Sequence, residues 1–156
     1  MPILHVMHGF IGSGKTTFSK KLEEETGAIR FNNDEWMRHL YGENPPKELY
    51  QEYYNRIDKL MMELTVKLLK ANQDVILDIG FWKRASRNFI RGFAKEHGAI
   101  LKLYRISCPD EIALKRVLKR SEELPEGTVY IDENAFFELK KNFEPLEPDE
   151  KFIEVR

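Results

Sequence analysis

The chain has 156 residues, 42% hydrophobic and 33% charged, which fits one globular domain large enough to bury a core without staples. Twenty-five basic and 26 acidic side chains leave a net charge of −1, so there is no overall pull toward long nucleic acid or an acidic membrane, and any polyanion site must be a local patch. The single cysteine, Cys108, excludes an internal disulfide. No apolar run approaches about 18 residues and no secretory pattern opens the chain, so a cytoplasmic setting without membrane attachment is expected.

Residues 3–7 form a short, mostly apolar run without alternation, the signature of a strand buried on both faces. A helix is predicted over 15–26, closed by Gly27, and a short strand over 28–31. Asn32 and Asn33 then read as turn and cap for a helix over 34–41 that stops at Gly42. Pro45 and Pro46 open a long helix to about residue 69, with Tyr50, Tyr53, Tyr54, Ile57, Leu60, Met61 and Leu64 on its apolar stripe. DVILDI, 74–79, reads as a buried strand. A helix follows over 84–97, with Phe89, Phe93 and Ala94 inward. The strand 100–106 leads to Pro109 at a first helical position, and that helix runs to about 121 with Ala113, Leu114, Val117 and Leu118 inward. Residues 121–131 read as a polar loop, Asp132 as the cap of a helix to about 142, and 151–155 as a last strand. Strands alternating with helices predict a single α/β domain over 1–156, a parallel sheet covered on both faces.

Gly9-Phe10-Ile11-Gly12-Ser13-Gly14-Lys15-Thr16 matches the phosphate-loop pattern at every fixed position, between a predicted buried strand and a predicted helix. Glycines let backbone N–H groups curl around phosphate oxygens, and the helix N-terminus adds partial positive charge. Gly9, Gly12, Ser13, Gly14, Lys15, Thr16 and Thr17 are therefore the expected nucleotide contacts. Lys15 is expected to reach the β- and γ-phosphates of ATP, and Thr16 to ligate Mg²⁺. His5 and His8, three apart on a strand, point to opposite faces and cannot share a metal.

Ligands of an open α/β sheet bind beyond the carboxyl ends of its strands. Asp34 and Asp78 follow the second and third predicted strands, so both are candidates for the base on an attacking hydroxyl; Asp78 is also a candidate holder of Mg²⁺. Arg116 and Arg120, four apart on one helix face beside the 121–131 loop, fit arginines that close over a transferring phosphoryl group. Arg84, Arg87 and Arg91 form a second basic stripe. It reads either as a solvated helix face or, beside Trp82, as part of an acceptor site.

GFIGSGKTT, NNDEWMRHLYG, VILDIGFW and LKRVLKR, at these distances, resemble the small P-loop kinases grouped with zeta toxins, chloramphenicol phosphotransferase and the 5′-kinase domain of polynucleotide kinase. Members of the bacterial subgroup with DEWM and GFWKR segments usually carry the label AAA family ATPase. The resemblance implies a three-layer P-loop NTPase fold with a lid and a five-stranded parallel sheet in the order 2-3-1-4-5. It implies Asp34 as the base and Arg116 and Arg120 as lid arginines. Relatives often carry an arginine three residues after that aspartate; here the position is Met37, with Arg38 next to it.

The expected activity is transfer of the ATP γ-phosphate to a hydroxyl of a small or nucleotide-like molecule. The alternatives are a polynucleotide 5′-hydroxyl kinase and an ATPase or switch without an acceptor. The acceptor is expected near Asp34, Trp36, Arg38, Arg84 and Arg87, with Tyr50, Phe81 and Trp82 as aromatic walls.

Overall fold

A computed structural model describes residues 1–123 and 131–155. Five strands form one sheet: β1 (Ile3–His8), β2 (Ile29–Phe31), β3 (Val75–Leu77), β4 (Ile100–Ile106) and β5 (Ile153–Val155). Their order is β2-β3-β1-β4-β5 and every pairing is parallel. The helices are α1 (Lys15–Thr26), α2 (Asn33–Tyr41), α3 (Tyr50–Lys70), α4 (Arg84–Glu96), α5 (Asp110–Glu122) and α6 (Glu133–Lys140).

Alternation along the central strands distributes side chains to two faces. Leu4 and Val6 of β1, with Val75 and Leu77 of β3, join Met37, Ile57, Met61, Ile90 and Phe93 from α2, α3 and α4. Met7 and Ile76 face the other way, toward Leu22 of α1 and Tyr104. A third cluster, built on Phe10, Ala113, Val117 and Phe136, packs the phosphate loop against α5 and α6. Burial of these apolar faces, at roughly 25 cal/mol per Å² removed from water, drives the assembly.

His5 and His8 do diverge. His5 Nδ1 lies 2.9 Å from the Tyr104 hydroxyl, and His8 Nδ1 lies 3.1 Å from the Phe81 carbonyl. Among the described residues no cluster suited to a metal forms from His, Cys, Asp and Glu.

Several boundaries depart from expectation. Residues 47–49 form a separate 3₁₀ turn before α3, and Tyr50 is only half-buried. Leu60 is exposed, while Thr65 is buried because its hydroxyl donates to the Met61 carbonyl at 2.7 Å. In α4 the inward positions are Arg87, Ile90, Phe93 and Ala94, and Phe89 is 62% exposed. A buried arginine on that helix rotates the apolar face away from Phe89. The polar loop expected at 121–131 falls mostly outside the described residues. Its first two positions belong to α5, and Ser121 Oγ accepts from the Ile131 N–H at 3.2 Å.

Candidate active site

Residues 9–14 leave the carboxyl end of β1 and turn directly into α1. Gly12 and Gly14 have φ of +78° and +103°, the left-handed region that side chains disfavour. Space is also short: a Cβ on Gly12 would lie 2.6 Å from the Ala113 carbonyl oxygen. Phe10 holds the loop from beneath, its ring 4.9 Å from Trp82 and 5.0 Å from Phe136. Trp82 Nε1 donates to the Gly9 carbonyl at 3.1 Å, which ties the segment after β3 to the loop. Lys15 Nζ donates to the Phe10 carbonyl at 3.1 Å. Burial depresses its pKa, and the carboxylates of Asp78 and Asp34 partly restore it.

Two clefts meet at this loop. One, of about 960 Å³, is lined by residues 12–18 with Pro109, Arg116, Lys119 and Arg120. The other, of about 440 Å³, lies toward Asn33, Asp34, Gly80, Phe81, Trp82 and Lys83. Gly12, Lys15, Thr16 and Arg120 border both.

Asp78 sits at the base of the second cleft, just beyond β3, and is buried. Its Oδ2 accepts from Thr16 Oγ1 at 3.1 Å, Ser19 Oγ at 2.8 Å, Arg30 Nη2 at 2.7 Å and Asn32 Nδ2 at 3.0 Å. Its Oδ1 is buried with no partner among the described residues. The Thr16 hydroxyl and this orphan oxygen are hard donors of the kind Mg²⁺ selects, so the pair fits that ion. With Oδ2 so fully occupied, only Oδ1 of Asp78 remains for an ion or a hydroxyl.

Asp34 is exposed on the first turn of α2. The helix cap is supplied by Asn32, whose side chain accepts from the Glu35 N–H at 2.9 Å, so Asp34 is not needed for capping. Tyr54 of α3 donates its hydroxyl to Asp34 Oδ1 at 2.7 Å. Burial, followed by that hydrogen bond, raises the pKa of Tyr54, which keeps it a donor. Asp34 lines the smaller cleft, and the hydrogen bond from Tyr54 engages only its Oδ1.

Arg116 and Arg120 both flank the phosphate loop. Arg116 Nη1 donates to the Gly12 carbonyl at 3.2 Å and lies 3.7 Å from Cys108 Sγ. Lys119 also borders the larger cleft.

The expected acceptor contacts fare differently. Trp36 packs edge-on against Phe31, centroids 5.5 Å apart, and does not line the cleft; neither does the exposed Arg38. Met37 is buried between α2 and α3, so no arginine could occupy that position without entering the core. Arg84 and Arg87 are drawn away from the cleft by the acidic segment 143–150. Arg84 pairs with Glu147 and Asp149, and Arg87 is fully buried against Glu150 at 2.7 Å. They hold the protein together here, and an acceptor contact through them is not what the structure forms.

Arg30, Ser19, Glu35 and Tyr54 complete the site and were not singled out from sequence. Arg30 Nη1 and Nη2 grip Glu35 at 2.9 and 3.0 Å while reaching Asp78. An arginine inside the apolar strand AIRF was the available signal, since a buried guanidinium requires carboxylate partners.

A sequence profile described as an AAA domain matches residues 4–146. The chain belongs to the AAA domain family. Within the AAA domain family its fold is that of the small P-loop kinases. A kinase candidate from Chloroflexus aurantiacus superposes with a TM-score of 0.77 at 17% identity, over 99% of this chain and 87% of that one. A gluconokinase from Sinorhizobium meliloti 1021 gives 0.65 at 15% identity, over 99% and 82%. A chain of the Pnkp1/Rnl/Hen1 complex gives 0.64 at 26% identity, over 74% of this AAA domain protein but only 38% of that longer chain. Among curated proteins no sequence match was found.

Proposed function

We propose that the protein is an ATP-dependent phosphotransferase that moves the γ-phosphate to a hydroxyl, with Asp34 as the base. One observation carries this: two clefts share the Gly12, Lys15, Thr16 and Arg120 border, and the exposed Asp34 carboxylate stands on the side of only one of them. A triphosphate in the larger cleft would present its γ-phosphate at that border. An acceptor in the smaller cleft would then approach in line, opposite the leaving ADP.

Each residue has a distinct task under this reading. Lys15 leaves the Phe10 carbonyl for the β- and γ-oxygens, exchanging a neutral acceptor for anionic ones. Asp34 Oδ2 takes the proton of the attacking hydroxyl, while Tyr54 fixes Oδ1. Arg116 and Arg120 neutralise charge on the transferring group. Thr16 and Asp78 would hold Mg²⁺, which when bound supplies further neutralisation of the β- and γ-oxygens. The cytoplasm is the proposed setting.

A second acceptor class, a 5′-hydroxyl nucleic-acid end, is favoured by the 26% identity to the chain of a complex elsewhere described as an RNA repair complex. Release of phosphate and transfer of label from γ-labelled ATP, measured with and without candidate acceptors, test the proposal. Label transfer that depends on an acceptor supports a kinase. Hydrolysis that no acceptor alters, without transfer, supports an ATPase or switch instead.

A further inference from the structure

An acceptor bound beside Asp34 meets an unbalanced set of charges. Lys15 and Arg120 border its cleft, but they border the donor cleft too, where the phosphates of ATP would engage them. The other cation lining that cleft among the described residues is Lys83, and its Nζ lies 3.6 Å from the Glu144 carboxylate.

The basic stripe of α4 could have supplied more positive charge. The acidic segment after α6 takes it up completely. Arg84 Nη1 and Nη2 donate to Asp149 at 2.9 and 2.8 Å, and Glu147 pairs with the same guanidinium. Arg87 Nε and Nη2 donate to Glu150 at 2.7 and 3.1 Å, and its remaining donors go to the carbonyls of Phe81, Trp82, Glu144 and Pro145. Arg91 also pairs with Glu150. Residues 124–130, LPEGTVY, contain Glu126 and no lysine or arginine. The wall that remains offers the Asn33 amide, the Ser86 hydroxyl and the aromatic edges of Phe81 and Trp82, around the negative charge of Asp34.

We infer that the acceptor is an uncharged, hydroxylated small molecule of the sugar, nucleoside or hydroxylated natural-product kind, without phosphate or carboxylate near its reacting hydroxyl. The inference rests on the kinase reading above and decides between its acceptor classes. An anion in this cleft would lie against Asp34 with only Lys83, itself paired with Glu144, beside the Lys15 and Arg120 that ATP would engage, and a phosphodiester chain would meet that shortage repeatedly. A neutral polyol meets no repulsion from Asp34 and can donate hydrogen bonds to it. A cleft of about 440 Å³ holds one such molecule. In the reaction the acceptor O–H gives its proton to Asp34 Oδ2 as its oxygen bonds to the γ-phosphorus. The bond from that phosphorus to the β,γ-bridging oxygen breaks, and its electron pair leaves on ADP.

The test uses the full chain, γ-labelled ATP, Mg²⁺ and matched acceptor pairs: an aldose with its aldonate and its sugar phosphate, and a nucleoside with its 3′-monophosphate and a 5′-hydroxyl oligonucleotide. The expected result is transfer to an uncharged member with kcat/KM at least about tenfold above that of its anionic counterpart. Preferential transfer to the anionic members overturns the inference and leaves the kinase reading intact. ATP hydrolysis at one rate throughout, with no labelled acceptor in either class, overturns the kinase reading and this inference with it.

Discussion

Arg87 and Glu150, 63 residues apart, form a two-point ion pair with both side chains fully buried. The same guanidinium donates to the carbonyls of Phe81 and Trp82, and Phe81 has a φ of +45°, a conformation a bulky residue rarely adopts. The pair therefore clamps the segment whose Trp82 holds the phosphate loop at Gly9.

Removing one partner leaves a buried charge uncompensated, which costs about 3–5 kcal/mol. Glu150→Ala is expected to lower stability by that amount in urea denaturation. Glu147→Ala, at an exposed pair with Arg84, is expected to cost less than about 1 kcal/mol. Equal effects from the two substitutions would show that burial of the Arg87 pair is not what stabilises this end of the molecule.

Acid is expected to loosen the same region in two stages. Burial lowers the His8 pKa to about 4, against the opposing effect of the Phe81 carbonyl; Arg87 lowers it further and Glu150 opposes. That carbonyl can only accept, so the proton sits on Nδ1 of a neutral ring. Between about pH 6.5 and pH 4 the unfolded chain binds a proton that the native one does not. Stability is therefore complete above 6.5 and falls with acid through that window, by roughly 3 kcal/mol.

The second stage belongs to Glu150. Burial opposes its ionisation, but hydrogen bonds from Arg87, the Glu147 backbone N–H and Arg91 more than offset this and hold it at about 2. Its contribution is present above the ordinary glutamate value of about 4.3 and is lost as pH falls toward 2. Urea midpoints at pH 7.5, 5.5 and 4.5 should fall for the parent chain and fall less for His8→Asn, which retains a donor. Identical slopes for both would contradict the assignment to His8.

The phosphate loop was legible because glycines and a lysine at fixed spacing have few other uses, whereas strand-end acids such as Asp34 and Asp78 also serve as caps and turn residues, so position alone made them candidates. The sheet order came from the resemblance, since periodicity alone does not say which strands are neighbours. Arg84, Arg87 and Arg91 could be read as a solvated or substrate-facing stripe because their counter-charges lie some 60 residues later in the chain. Tyr54 fell on the apolar stripe of its helix, where its hydroxyl's reach to Asp34 left no trace in spacing. Trp36 was named for its chemistry, but its size sends it against Phe31.

Lys15→Ala should reduce phosphoryl transfer below detection while leaving the denaturation midpoint nearly unchanged, since Lys15 packs in the loop and not in an apolar cluster. Transfer kinetics and urea denaturation on the same preparation check both parts. Retained transfer would remove the phosphate loop from the account.

Arg120→Ala is expected to lower the transfer rate by about 10²–10³-fold with a smaller effect on ATP affinity, because Arg120 borders both clefts. Arg116→Ala, at the donor cleft and the Gly12 carbonyl, should weaken ATP binding more than it slows the bound complex. Titration with a fluorescent ATP analogue and single-turnover rates separate the two. The reverse pattern would exchange the roles assigned to these arginines.

Asp34→Asn tests the central claim most directly, because it preserves size and the hydrogen bond from Tyr54 while removing the proposed base. The measurement is the single-turnover rate of γ-phosphate transfer from bound ATP, taken beside ATP affinity on the same protein. The account predicts affinity within about twofold of the parent and a rate lower by roughly 10²–10⁴-fold. An unchanged rate of transfer from bound ATP, with ATP affinity lost, would contradict it.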